Sequence, residues 1–207
     1  MSGRAVLFAT TNAGKLAELA AMAAGLSVLS LAEVPALAGL DVEEDQDTLE
    51  GNARKKALFF ARASGLVALA DDSGLFVDAL GGRPGVYSAR YAESPDARID
   101  KLLHELRGVP PEARGAAFRC VLCLATPDGE THVAEGACAG RVLEARVGSG
   151  GFGYDPILFI PALDKSMGEL TPGEKAAVGH RGQAFRALLP TLEEYVHGEW
   201  PRPSSGG

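Results

Sequence analysis

Short apolar runs alternate with longer stretches of helical spacing through most of this chain. Arg4 to Ala9, rich in Val, Leu and Phe, predicts a buried strand, and Lys15 to Ala24 an alanine-rich helix that Gly25 stops. Leu26 to Leu31 predicts a second strand, and Ala32 to Asp45, with Pro35, Gly39 and several acids, a loop. A long helix is expected over Asp47 to Ser64. Asp47 and Glu50 have capping-box spacing, Leu49, Ala53, Ala57, Phe60 and Ala61 draw an apolar stripe, and Gly65 is the stop. Leu66 to Ala70 reads as a strand ending at Asp71-Asp72-Ser73-Gly74, with a resumption at Leu75 to Val77. Ser94 caps a helix from Pro95 to about Leu106. Between Gly115 and Val147 three alternating segments, the first two joined at Pro127-Asp128-Gly129, predict an antiparallel meander. A short strand follows at Ile157 to Ile160. The remainder is expected to be helical, with Phe185, Leu188, Leu189, Leu192 and Val196 on one face and a stop at Gly198.

Buried strands, helices and a meander together predict an α/β fold: one domain over residues 1–198, with a mixed, elongated sheet flanked by helices, and a disordered tail over 199–207. Composition agrees with a globular domain, at 46% hydrophobic and 23% charged residues. The net charge of −7 disfavours a surface built for nucleic acid or anionic lipid, so an anionic substrate needs a local basic pocket or a metal. No apolar run approaches the roughly 20 residues of a membrane span, and no targeting pattern is visible. With three cysteines, which cannot all pair, the chain is expected to be cytoplasmic. Cys120 and Cys123 fall on opposite faces of a strand, which excludes a zinc or redox pair.

Six segments carry candidate chemistry. Thr10-Thr11-Asn12-Ala13-Gly14-Lys15 lies between a strand and a helix, where free backbone N–H groups make either a phosphate site or an ordinary capped start. Thr48, Asn52 and Lys56 share one helix face, which either reaches a phosphate or is simply solvated. The acids from Asp41 to Asp47 are a solvated loop or include an oxygen ligand for a hard cation, and Asp71-Asp72 either opens an ordinary Asp-Ser-Gly turn or offers a second acid, only one of the pair facing a given site because adjacent strand residues point opposite ways. Gly148 to Gly153 has the letters of a dinucleotide fingerprint without the helix that should follow. What remains is a loop carrying Phe152, Tyr154 and Asp155, suited to stacking and hydrogen-bonding a base or to packing on the core. Lys175, His180 and Arg181 cluster ahead of the last helix.

The order of these segments is more specific than any of them alone: Thr-Thr-Asn-Ala-Gly-Lys at 10 to 15, Asn-Ala-x-x-Lys-Ala at 52 to 57, Ala-Asp-Asp-Ser-Gly-Leu at 70 to 75, Pro-Gly-Val-Tyr-Ser-Ala-Arg-Tyr at 84 to 91, Gly-Phe-Gly-Tyr-Asp-Pro at 151 to 156 and His-Arg-Gly-Gln-Ala at 180 to 184. Across residues 4 to 197 the chain resembles the inosine/xanthosine triphosphate pyrophosphatase family. The resemblance implies a homodimeric, magnesium-dependent enzyme that cuts non-standard purine nucleoside triphosphates (ITP, dITP, XTP) to monophosphate and pyrophosphate in a central cleft. It implies that Thr10, Thr11, Asn12, Ala13, Gly14, Lys15 and Lys56 hold the triphosphate. Glu43 and Asp72 would carry Mg2+, with Asp72 also the general base and Ser73 beside it at the substrate. Phe152, Gly153, Tyr154, Asp155, Lys175, His180 and Arg181 would surround the base and phosphates. Gly51 and Gly179 depart from the family pattern, which has an acid and a serine there. A pyrophosphatase for modified pyrimidine nucleotides and a non-catalytic nucleotide sensor are the alternatives, separated by base competition and by turnover with magnesium.

Overall fold

The structure is a computed structural model and describes residues 4–198; the expected tail at 199–207 lies outside them. The strands are β1 (Val6–Phe8), β2 (Val28–Ser30), β3 (Val67–Val77), β4 (Gly115–Ala125), β5 (Thr131–Val142), β6 (Leu158–Ile160) and β7 (Lys165–Ser166). The α-helices are α1 (Ala13–Met22), α2 (Leu49–Ser64), α3 (Pro95–Glu105), α4 (Pro172–Val178) and α5 (His180–His197). One mixed sheet of seven strands runs β2-β1-β3-β4-β5-β6-β7, parallel where β1 meets β2 and β3 and antiparallel from β3 onward.

Three cores cover it. One face packs under α1 and α5 through Val6, Phe8, Val67, Leu69, Leu122 and Leu188, and the opposite face under α2 through Leu7, Ala57, Phe60, Ala68 and Ala70. A third core, with Leu75, Val77, Leu102, Phe118 and Tyr154, lies toward the far end of the long strands. On β3 the face that carries Val67 and Leu69 continues with Asp71 and Ser73 before turning apolar again at Leu75 and Val77. Two polar residues therefore separate the first core from the third, and a cleft opens between them.

Several expectations are revised. Asp71 to Gly74 is not a turn, and β3 passes straight through it. The ladder pairs Asp71 with Leu122, Asp72 with Val121, Ser73 with Cys120 and Gly74 with Arg119, and both acids find partners, so the local turn preference is overridden. Gly74 is needed there because a Cβ would stand 2.1 Å from the Gly85 carbonyl oxygen. The meander has two long strands rather than three. Residues 143–147 form a loop whose Arg146 pairs with Asp100 of α3 at 2.8 Å, and the next partner of β5 is β6. α2 begins at Leu49, capped by Thr48 rather than Asp47, the Thr48 hydroxyl accepting from the Gly51 N–H at 3.0 Å. α1 starts at Ala13 because Asn12 caps it, accepting from the Lys15 N–H at 3.1 Å. The segment after Ile160 is not all helix, since β7 precedes α4 and α5.

Candidate active site

The loop from β1 into α1 is anchored by the Ala9 N–H, which donates to the Leu69 carbonyl at 2.8 Å. This places the N-terminal turn of α1, with the exposed Thr11, Asn12 and Ala13, beside the middle of β3. The free N–H groups and positive dipole end there attract an anion. Lys15 reaches from the same turn to the Asp71 carboxylate at 3.1 Å.

Asp71 and Asp72 occupy opposite faces of β3, as their adjacency requires. On the α1/α5 face, Asp71 is 1% exposed and accepts from Arg181 at 3.0 and 3.2 Å, while Arg181 also donates to the Ser73 hydroxyl at 3.0 Å. Burial favours protonation of Asp71, but Lys15, Arg181 and Lys56 outweigh it and hold the carboxyl far below its ordinary value. On the α2 face, Asp72 accepts from the Asn52 amide at 3.0 Å and from the Ser73 N–H at 2.9 Å. Its carboxyl is pushed above the usual carboxylate range by burial and then by the charge of Glu44, against the pull of Lys15, Asn52 and Lys56. Lys56 forms an ion pair with Glu44 and donates to the Asp71 backbone carbonyl at 3.0 Å. The helix face that bears Asn52 and Lys56 is thus turned toward β3 rather than solvated.

Two cavities are lined by the cations of this cluster. One of about 490 Å³ is lined by Thr10, Thr11, Asn12, Lys15, Glu43, Glu44 and Lys56. The other, about 710 Å³, is lined by Gly14, Glu18, Phe152, Lys175, His180 and Arg181. Phe152 lies so close to α1 that a Cβ on Gly14 would stand 2.4 Å from its ring. Lys175 and Arg181 stand over that ring at 4.6 and 5.8 Å from its centroid. The Asp155 carboxylate ties the loop to the cations, accepting from the Phe152 N–H at 2.7 Å and pairing with Lys175 at 2.5 Å. His180 is stacked on Phe118 with centroids 4.8 Å apart. Burial, then Arg181 and Lys175, hold its pKa well below the usual value, so the ring is neutral and its Nδ1 has no hydrogen-bond partner in the protein.

The structure brings Thr10, Thr11, Asn12, Lys15 and Lys56 to the smaller cavity and Gly14, Phe152, Lys175, His180 and Arg181 to the larger, while Ser73 is bonded to Arg181, Asp155 to Lys175, and Asp72 lies on β3 between Asp71 and Ser73. Gly153 lies within the Phe152 loop, at φ 59°. Tyr154 does not offer its ring for stacking: it is buried in the third core and its hydroxyl donates to the Ser88 carbonyl at 3.0 Å. Glu43 is exposed at the cavity rim, and Glu44 beside it makes the ion pair with Lys56. Sequence reasoning missed Glu18, which pairs with Lys175 at 2.6 Å and Arg181 at 2.5 Å. Its three-residue spacing from Lys15 on α1 was the available signal. Among the described residues, no three His, Cys, Asp or Glu side chains form a metal cage. The fit to magnesium rests instead on Asp72 and the Glu43-Glu44 pair: hard oxygen donors, with Asp72 raised by burial and then by the charge of Glu44, suit a cation that takes one or two carboxylates plus phosphate oxygens. The three cysteines are free and buried, and burial pushes Cys120 to about 12 and Cys123 to about 11, leaving inert thiols.

A mixed α/β fold that gathers a helix N-terminus and four cations around the buried Asp71 and Asp72 has the chemistry to receive a phosphorylated ligand. The chain belongs to the Ham1 family, whose model matches residues 6–191. It is 47% identical over 201 residues to a dITP/XTP pyrophosphatase of Shouchella clausii, covering 95% of this chain and 98% of that protein. A dITP/XTP pyrophosphatase of Geobacter sulfurreducens is 49% identical over 192 residues, covering 90% and 96%. The solved structure of the Staphylococcus aureus Ham1 protein superposes with a TM-score of 0.81 at 39% identity, over 92% of this chain and 98% of that one.

Proposed function

We propose that this chain hydrolyses the non-standard purine nucleoside triphosphates ITP, dITP and XTP to the monophosphate and pyrophosphate. The observation that carries the reading is Asp72, a buried acid held by the Asn52 amide between Asp71 and Ser73, the residues on which Lys15, Lys56 and Arg181 converge. Cleavage between the α- and β-phosphates needs neutralisation of developing charge and an oriented water more than covalent chemistry. The α1 N-terminus, Lys15 and Lys56 serve the phosphates, and Asp72, oriented by the Asn52 amide, holds and deprotonates the water. Magnesium, held by Asp72 with the Glu43-Glu44 pair, would supply electrophilic neutralisation of phosphate oxygens. Because a ligated carboxylate is a weaker base, Asp72 would act on the water through its second oxygen.

In the larger cavity Phe152 provides a stacking face, and Lys175, Arg181 and His180 present donors to a 6-oxo purine. Adenine's amino group would leave such donors unpaired, which supports selection of hypoxanthine and xanthine. The same reading places the enzyme in the cytoplasm as a homodimer acting on free nucleotides, with no nucleic-acid or membrane partner. A net charge of −7 supports a small-molecule partner rather than nucleic acid.

The test measures pyrophosphate and orthophosphate released from ITP, XTP, dITP, ATP and GTP, with and without magnesium, for the wild type and Asp72→Asn. Magnesium-dependent pyrophosphate from ITP and XTP, lost in the variant while nucleotide binding persists, is expected. Orthophosphate release, or tight binding without turnover, would overturn the assignment.

A further inference from the structure

The two cavities are lined by different cations, and the acids that neutralise them are mostly local. Glu18 pairs with Lys175 and Arg181, both in the larger cavity, and Glu44 pairs with Lys56 in the smaller. Asp155 pairs with Lys175 alone. Asp71 is different. Its Oδ2 takes Lys15 of the smaller cavity at 3.1 Å and the Arg181 guanidinium of the larger at 3.0 and 3.2 Å, while its backbone carbonyl takes Lys56 at 3.0 Å. Among the described residues it alone bonds cations that line both cavities. Its position is fixed by pairing: β3 is hydrogen-bonded to β4, and the carboxylate is buried with Oδ1 left without a partner. Leaving a buried carboxylate oxygen unpaired is costly, and it persists here because Oδ2 is held by two cations from two separate helices.

The geometry points to Asp71 as a positioning residue that couples the phosphate grip of Lys15 to the base readout of Arg181 by serving as their shared counter-ion. Lys15 and Arg181 project from the first turns of α1 and α5, and no direct contact links them. Asp71 fixes the plane of the Arg181 fork through two of its nitrogens, which is what a directional donor to a purine edge requires. It fixes Lys15 at the same oxygen, so displacement of either cation disturbs the other. Asp72, one residue on and on the opposite face, does the chemistry without touching either cation through a hydrogen bond. The inference rests on the proposed roles of Lys15 and Arg181, and on ITP as substrate.

The experiment compares wild type, Asp71→Asn and Asp71→Glu for kcat and KM on ITP and on ATP, with thermal midpoints measured alongside. In Asp71→Asn, the KM for ITP is expected to rise, and the ITP-over-ATP ratio of kcat/KM to fall, each by about tenfold or more, with kcat for ITP much less affected. Asp71→Glu keeps the charge and should recover part of both effects. A purely structural role would reduce kcat on both nucleotides by a common factor with the ratio intact, and that result overturns the proposal, as does an unchanged KM in a folded Asp71→Asn protein. If Asp71→Asn fails to fold, Asp71→Glu decides: a raised KM with a lowered ratio supports the coupling, and a wild-type KM and ratio with lowered kcat refutes it. Failure of wild type to release pyrophosphate from ITP would instead refute the function on which the inference stands.

Discussion

Single side chains in this cleft are governed by what burial does to charge. His180 is held neutral by burial and by two neighbouring cations, so its folded-state pKa lies well below the ordinary 6.5. Below that pH the unfolded chain binds a proton that the folded chain refuses, and folding stability must fall as pH falls, by up to about 1.4 kcal/mol per pH unit from this residue. Urea unfolding at a series of pH values between neutrality and mild acid should show this slope, and His180→Phe should flatten it. Gly14 is a second case: a Cβ there would collide with the Phe152 ring, so Gly14→Ala should raise the KM for ITP several-fold. Alanine's helix propensity offsets only part of the cost of displacing the ring, so the thermal midpoint should fall slightly. The Lys15 motif was legible in the sequence because a strand, a capped turn and a helix imply exposed N–H groups. Glu18 was not, because its meaning depends on Lys175 and Arg181, more than 150 residues away in the chain.

Among the elements, helices were easier to read than strands. The apolar stripe of α2 and its stop at Gly65, which has a φ of 71°, follow from local spacing and backbone freedom alone. Its start was misplaced by two residues, because Asp47 and Thr48 both have cap chemistry and only the backbone path selects Thr48. Thr48→Ala should therefore cost about 1 kcal/mol of unfolding free energy, measured by chemical denaturation, whereas Asp47→Ala should cost much less. Strand β3 was misread for the opposite reason. Asp-Asp-Ser-Gly has strong turn chemistry, and only the ladder to β4 and the cations waiting on both faces keep it extended. A mutation that removes local support from α1, by contrast, should act on binding: Lys15→Ala is expected to raise KM for ITP with a smaller change in kcat, checked by steady-state kinetics.

Across the whole molecule, the cleft exists because the apolar face of β3 is interrupted at Asp71 and Ser73, between a core under α1 and α5 and a second core toward the far end of the long strands. Magnesium on this reading is held by one or two carboxylates and phosphate, not by a cage, so it should matter to catalysis and little to folding. Chelation with EDTA is expected to abolish pyrophosphate release while far-ultraviolet circular dichroism and the thermal midpoint stay close to those of the untreated protein. The sequence by itself determined the fold class, the helices and the segments that carry chemistry, because periodicity, caps and motif order are properties of neighbours along the chain. Only the tertiary structure decided that β3 runs unbroken through Asp71 and Asp72, which partners each acid meets, that Tyr154 belongs to a core, that Glu18 belongs to the site, and that the Asn52 face turns toward β3. Those assignments depend on which distant charges and amides meet across the sheet, and burial makes such meetings decisive, since a charge out of water is stable only beside its partner.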